Sequence, residues 1–307
     1  MLPTLARWSA TCNTLTSANK AAGTLSPIRW IYLRDQVPYH LGLLLQEHLV
    51  QSRLSAKADL LSSSPSSTPS SKIESLERIA STDILLLLQH RPVYTAGKRE
   101  KDPVQAERER ERLGKLGADY VQTSRGGQTT YHGPGQLVGY PLIDLGASKL
   151  STRCYVDKLE TFLSSLVSSF KVPIHPLPHT GVFVSETSKI ASIGVQIRRR
   201  ITMHGFSINI EEQTRYWFDQ IVACGLNDVS STSVEAELKR LGTLPMKEGG
   251  GIEVKDSVEK AVELFGKQYG RELRMLEDGD EFEETRRLIK DGVEGKLPQM
   301  KREMVGV

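Results

Sequence analysis

Apolar positions along the chain follow two rhythms. Between Pro38 and Leu54, residues Leu41, Leu44, Leu45, His48 and Leu49 recur at three- and four-residue steps. That spacing makes one stripe of an amphipathic helix and predicts packing on a sheet. The same rhythm returns over Tyr155–Phe170, through Val156, Leu159, Leu163, Leu166 and Val167, and over Asp256–Tyr269, through Val258, Ala261, Val262 and Phe265. The other rhythm is extended. Asp83–His90 is a short continuous apolar run closed by Arg91-Pro92, the pattern of a buried strand. Val138–Asp144 reads as a strand entering a loop, and Gly181–Val184, Lys189–Arg200 and Ile201–Ile210 read as successive strands. In the second of these, Ile193, Val195 and Ile197 alternate strictly. Residues 102–117 predict an exposed helix in which Glu107 to Arg112 alternate in charge. Strands and helices interleave, which is compatible with an α/β (α+β) chain without selecting one architecture.

Three stretches interrupt the pattern. Ser62 to Ser71 holds Pro65 and Pro69 and almost nothing to bury, which predicts a disordered Ser/Pro-rich insertion over about residues 55–75. Gly249-Gly250-Gly251 breaks the chain before the last strong helix, and residues 276–307 form a charged tail expected to fray. No internal repeat is present.

Charge adds a further division. Residues 1–34 contain Arg7, Lys20, Arg29 and Arg34, many hydroxyl side chains and no acid. The whole chain is at +3, so that without these four cations it is close to neutral. A basic, hydroxyl-rich, acid-free start is the composition of a mitochondrial transit peptide, and it lacks the apolar core of a secretory signal. Residues 1–34 are therefore expected to be a leader to the mitochondrial matrix, residues 35–275 one domain. Near-neutrality argues against a nucleic-acid partner. The longest apolar run, Ile84–Leu88, is far below the roughly 18 residues of a membrane span. Three scattered cysteines, Cys12, Cys154 and Cys224, make neither a disulfide framework nor a zinc site.

The densest chemistry lies in Arg125-Gly126-Gly127-Gln128-Thr129-Thr130-Tyr131-His132-Gly133-Pro134-Gly135-Gln136. Its glycines let main chain approach a ligand closely, and it is neither a dinucleotide fingerprint nor a phosphate loop. Extended to RGGQTTYHGPGQLVGYP, it resembles the signature of the lipoyl(octanoyl) transferases. Two further blocks stand in the same family order: Thr180-Gly181-Val182-Phe183 with Lys189-Ile190-Ala191-Ser192-Ile193-Gly194-Val195, and His204-Gly205-Phe206-Ser207-Ile208-Asn209 with Ile221-Val222-Ala223-Cys224-Gly225-Leu226. The resemblance covers roughly residues 30–270. It implies a mixed sheet carrying helices on its outer face, a biotin/lipoate-protein ligase-like catalytic domain. It also implies transfer of an octanoyl group from acyl carrier protein to a lysine of a lipoyl domain, with no cofactor and no metal, by an enzyme expected to act as a monomer.

Carried across, the nucleophile falls on Cys224 and its partner on Lys189. The acyl-binding surface falls on Arg125, Gly126, Gly127, Gln128, Thr129, Thr130, Tyr131 and His132, on Ser192, Ile193 and Gly194, and on Gly205, Phe206 and Ser207. Ser207 stands where the family pattern suggests alanine, and Ala223 where proline often precedes the cysteine; neither removes a reactive group. The chemistry is reasonable on elementary grounds. A free thiol has a pKa of about 8.5 and is mostly protonated at neutral pH. A lysine charge about 4 Å away at an effective dielectric of about 20 is worth up to about 4 kcal/mol before desolvation, enough to favour the thiolate. After acylation the same lysine can take a proton from the incoming amine.

Rival readings attach to several positions. Cys154 is the other cysteine of the domain. His132 and His204 are each either site-shaping or satisfied core histidines. Arg198 and Arg200 share a strand face and suit steering of acidic carrier and lipoyl domains. The alternatives for the whole chain are an ATP-dependent lipoate-protein ligase of the same fold, or a non-catalytic binder of acyl carriers or lipoyl domains.

Overall fold

The computed structural model describes residues 25–63, 69–100, 102–221, 228–244, 251–276, 283–294 and 296. Cys12 and most of the expected leader, the tract 64–68, Ala223 and Cys224, and Gly249-Gly250 lie outside these residues.

Chain order is β1 (Ile28–Val37), α1 (Tyr39–Ser62), α2 (Ser70–Ser81), β2 (Ile84–His90), β3 (Val93–Ala96), α3 (Pro103–Gly114), β4 (Asp119–Gln122), β5 (Thr130–His132) and β6 (Gln136–Leu142). There follow α4 (Thr152–Ser169), β7 (Val182–Ser185), β8 (Ser188–Arg198), β9 (Ile201–Asn209), α5 (Thr214–Phe218), β10 (Ser230–Ser231), α6 (Val234–Arg240), α7 (Lys255–Tyr269), β11 (Leu273–Met275) and α8 (Glu283–Val293). The main sheet runs β10-β8-β9-β6-β2-β1-β11, with β7 also on β8. It is mixed: β1 is parallel to β2 and β11, while β2, β6, β9 and β8 are joined antiparallel. A small sheet, β4-β3-β5, stands apart.

The run Ile84–Leu88 is continuous because both sheet faces are covered. Leu85 and Leu87 pack with Leu159, Leu163 and Phe265 of α4 and α7, whereas Leu86 and Leu88 pack with Leu45, Leu49 and Leu54 of α1. Helices thus cover the face opposite α4 and α7 as well. One ion cluster ties the layers together. Asp83, at the start of β2, holds Arg53 of α1 at 2.7 Å and also pairs with Arg271, all three side chains being buried. The same carboxylate accepts the Asp144 N–H at 2.8 Å, and Arg53 donates to the carbonyls of Ala80 and Leu142.

Three boundaries differ from expectation. Arg29 and Arg34, counted with the expected leader, lie in β1, where Ile28 is fully buried and the strand is bonded on both edges within the sheet. The insertion is helical on both of its described sides: residues 55–62 extend α1 and 70–75 begin α2. Burial of Leu54 and Ala56 and the Lys57–Asp144 ion pair supply tertiary support that composition does not reveal. In the charged tail, α8 seats the buried Ile289 in the α1 cluster. No helix among the described residues is long and apolar enough to cross a membrane.

Candidate active site

The Arg125–Gln128 loop is shaped by its own arginine. The buried Arg125 guanidinium donates to the Thr95 carbonyl and to Thr95 Oγ1 (2.8 Å), and to the Gly126 carbonyl (3.0 Å), so it pins the loop to β3. Gly126 N–H then donates to Val195 O of β8 at 3.0 Å, bridging the small sheet to the large one. Gly127 has φ +92°, and a Cβ on Gly97 would lie 2.2 Å from the Gly127 carbonyl oxygen. Only glycine allows the two segments to cross this closely.

Beneath this loop lies a cavity of about 580 Å³, within the usual range for small-molecule sites. Arg125, Gly126, Gly127, Gln128, Thr130 and His132 line one side, Ser192, Ile193, Gly194, Gly205, Phe206 and Ser207 another, and Lys189 is also on the wall. The last set comes from paired strands: Ser192 faces Ser207 and Gly194 faces Gly205 across β8–β9. The sequence blocks therefore converge, although His132 of the first and Lys189 of the second are 57 positions apart. Two expected residues do not line the cavity. Thr129 bonds to Tyr120. Tyr131 turns into a separate aromatic cluster, stacked on Trp217 at 5.4 Å and beside Tyr94 and Phe218. Gly133 makes room for it, since a Cβ there would meet the Tyr131 hydroxyl at 1.8 Å. Tyr131 anchors scaffold rather than ligand.

Three buried histidines sit at or beside the cavity. His90 bonds Val37 O through Nδ1 (2.8 Å) and Tyr140 Oη through Nε2 (2.6 Å). A carbonyl can only accept, so Nδ1 carries the proton and Nε2 receives the Tyr140 hydroxyl hydrogen. His132 is oriented by a longer chain. Asn209 Nδ2 donates to Ser231 Oγ and Thr232 O, which leaves Asn209 Oδ1 to accept from Gln136 Nε2 (2.8 Å), and Gln136 Oε1 to accept from His132 Nδ1 (2.7 Å). His204 occupies a left-handed conformation, φ +55°, inside β9. It is held there by its N–H on Gln46 Oε1 (2.7 Å) and by contact of Nδ1 with the Tyr39 hydroxyl (3.5 Å). Burial is the main cause that pushes all three below their ordinary value, His90 to about 4 and His132 and His204 to about 3. Nearby charge lowers His132 and His204 further, His90 being the next cause for the former and Arg125 for the latter. All three are neutral dipoles at neutral pH. His132 and His204 both line the cavity, together with Tyr140, which the motif reading did not single out.

Lys189 lies at the start of β8. Its ammonium donates to the Thr180 carbonyl at 3.1 Å and stands 5.3 Å above the Phe183 ring. Cys224, the partner expected for it, lies outside the described residues. Cys154 sits in the first turn of α4, capped by Ser151 and packed in the core cluster of that helix. Arg200, exposed and with φ +71° in the β8–β9 turn, donates to the carbonyls of Leu145 and Leu150, each at 3.0 Å. Among the described residues, no group of three or more His, Cys, Asp or Glu is placed to hold a metal ion.

Comparison with known proteins agrees with this arrangement. Residues 72–265 match the lipoyl protein ligase A/B catalytic domain family. The chain is 34% identical over 246 residues to the mitochondrial octanoyl-[acyl-carrier-protein]:protein N-octanoyltransferase of Danio rerio, covering 80% of this chain and 94% of that one. It is 37% identical over 202 residues to the octanoyltransferase of Caldicellulosiruptor saccharolyticus, 64% of this chain and 80% of that one. Among solved structures, lipoate-protein ligase A bound with ATP superposes with a TM-score of 0.53 at 12% identity, over 88% of this chain and all of that one. The bipartite lipoate protein ligase of Thermoplasma acidophilum gives 0.51 at 11% identity, over 90% and 99%. These structures establish a shared fold, and the sequence relatives narrow it: the chain belongs to the octanoyltransferase family.

Proposed function

We infer that the chain moves an octanoyl group from octanoyl-acyl carrier protein to a lysine of lipoyl-domain proteins, through a thioester on Cys224 and with Lys189 as the proton-handling partner. The carrying observation is Lys189 at the wall of a cavity built largely from glycine main chain and uncharged side chains such as Val156, Ile193, Val195 and Phe206, with Arg99 and Arg125 as its other cations, surroundings that suit an acyl chain. In the first half-reaction the Cys224 thiolate attacks the thioester carbonyl, the bond to the carrier sulfur breaks, and the departing sulfur takes a proton from the Lys189 ammonium, so that the carrier leaves as its thiol and Lys189 is left as the neutral amine. In the second, the amine of the acceptor lysine attacks the new thioester, Cys224 departs as thiolate, and the amine proton passes to Lys189. Thioester exchange is close to neutral and the amide is the more stable product, so no nucleotide is consumed. Several of the sequence relatives are mitochondrial proteins, and with the basic start of the chain this supports action in the matrix.

The test is intact mass spectrometry after incubation with octanoyl-acyl carrier protein in the absence of ATP. A hydroxylamine-labile octanoyl adduct is expected on the wild type and none on Cys224→Ser. Lys189→Ala is expected to lose both self-acylation and transfer to a lipoyl domain. An ATP requirement would instead identify a ligase, and an adduct mapping to another residue would overturn the role of Cys224.

A further inference from the structure

We propose that Glu160 is a positioning residue for Lys189, acting through the Thr180–Gly181 turn. This rests on the role given to Lys189 above. The acceptor that holds the Lys189 ammonium is a main-chain carbonyl, Thr180 O at 3.1 Å. Thr180 belongs to an exposed segment without regular structure between α4 and β7. Something other than a ladder must therefore fix that carbonyl. Two contacts do so: His175 N–H donates to Phe183 O at 2.7 Å, and Gly181 N–H, the next amide after the carbonyl in question, donates to Glu160 Oε1 at 2.9 Å. A peptide plane is rigid, so holding the Gly181 N–H also sets the direction of the Thr180 C=O.

Glu160 stands half-buried on α4, a long amphipathic helix whose other face is core, so the anchor is a rigid one. Gly181 itself is fitted to Lys189. It has φ +120°, and a Cβ there would meet Lys189 Cε at 2.6 Å and Ala191 O at 2.6 Å. The stem of the lysine thus lies directly on the turn that Glu160 holds. The two charges also act on each other. Burial raises the Glu160 carboxyl, the Gly181 hydrogen bond lowers it, Asp157 raises it, and Lys189 and Arg153 lower it, with the net effect upward. Glu160 therefore does two things: it orients the carbonyl that receives the ammonium, and it places an anion close to it.

Two measurements on the full chain separate this relay from the role of Lys189 itself. The first is labelling of the Lys189 amine by an acylating reagent at fixed pH, mapped by peptide mass spectrometry with the exposed Lys149 and Lys171 as internal references. Glu160→Ala is expected to raise Lys189 labelling by about threefold or more, and Glu160→Gln, which keeps an oxygen for the Gly181 N–H, by less. The second is single-turnover self-acylation from octanoyl-acyl carrier protein. Loss of a hydrogen bond to a charged group predicts a rate about 10- to 100-fold lower for Glu160→Ala with KM for the carrier unchanged, and recovery to within about threefold for Glu160→Gln. Wild-type labelling in Glu160→Ala, at an unchanged urea midpoint, would overturn the relay whatever the rate. Raised labelling with a wild-type rate would uphold the relay and overturn the role of Lys189. Should Glu160→Ala not fold, equal labelling and equal rate in Glu160→Gln and in wild type at high salt would leave only the hydrogen bond, and Gly181→Ala, which displaces the turn while keeping Glu160, must then raise labelling or the relay falls.

Discussion

Stability of this enzyme should collapse on mild acidification, and the cause is the trio of histidines beside the cavity. In the unfolded chain each imidazole titrates near 6.5, whereas in the folded protein His90 titrates at about 4 and His132 and His204 at about 3. Below pH 6.5 the unfolded chain therefore takes up protons that the folded protein refuses. Stability is greatest above that value and falls as pH decreases, until the folded pKa values are reached near 3 to 4. Between pH 7 and pH 5 each histidine contributes a loss on the order of 2 kcal/mol, so three contribute about 5–6 kcal/mol. A domain of this kind has a total of about 5–15 kcal/mol, so unfolding near pH 5 is expected. The raised carboxyls of Glu47, Asp157 and Glu160 act with the opposite sign and do so in the carboxylate range, at the lower end of the window. The assay is urea unfolding at pH 7, 6 and 5, read by tryptophan fluorescence. His90→Gln should reduce the pH 7-to-5 difference by about 2 kcal/mol, whatever it does to stability at pH 7. A wild-type difference under about 2 kcal/mol, or a His90→Gln difference equal to wild type, would refute the assignment of buried neutral imidazoles.

Two other substitutions test the scaffold. Asp83→Ala leaves Arg53 and Arg271 buried without their carboxylate and should cost about 3–5 kcal/mol in urea unfolding; a cost under about 1 kcal/mol would mean the cluster relaxes into water. Gly139→Ala places a methyl 2.1 Å from Phe206 Cζ and should cost about 1–3 kcal/mol through overpacking. Adding Phe206→Leu to that variant should recover part of the loss, and no recovery would place the strain elsewhere.

Much of this molecule is legible in its sequence where one local rule decides. The stripes of α1, α4 and α7 and the alternation in β8 follow from helix and strand periods alone, because each element has one face toward a core. The order of the glycine-rich, lysine and histidine blocks is enough to name the family and to nominate the cavity wall. Tertiary structure decided the rest. Residues 28–34 carry the basic, acid-free composition of a leader, yet they form β1, because what fixes a strand inside a sheet is hydrogen bonding to β2 and β11 from distant parts of the chain. Residues 55–62 fall within the insertion expected to be disordered, yet they continue a helix because Arg53 and Lys57 find buried carboxylates 30 and more residues away. Tyr131 sits inside the signature but supports the scaffold, since a strand sends adjacent side chains to opposite faces and its neighbour His132 takes the cavity side. Neither the neutral state of His90, His132 and His204 nor the hold of Glu160 on the turn beneath Lys189 has any local signature, because burial and a hydrogen bond across 21 positions exist only after the layers have closed.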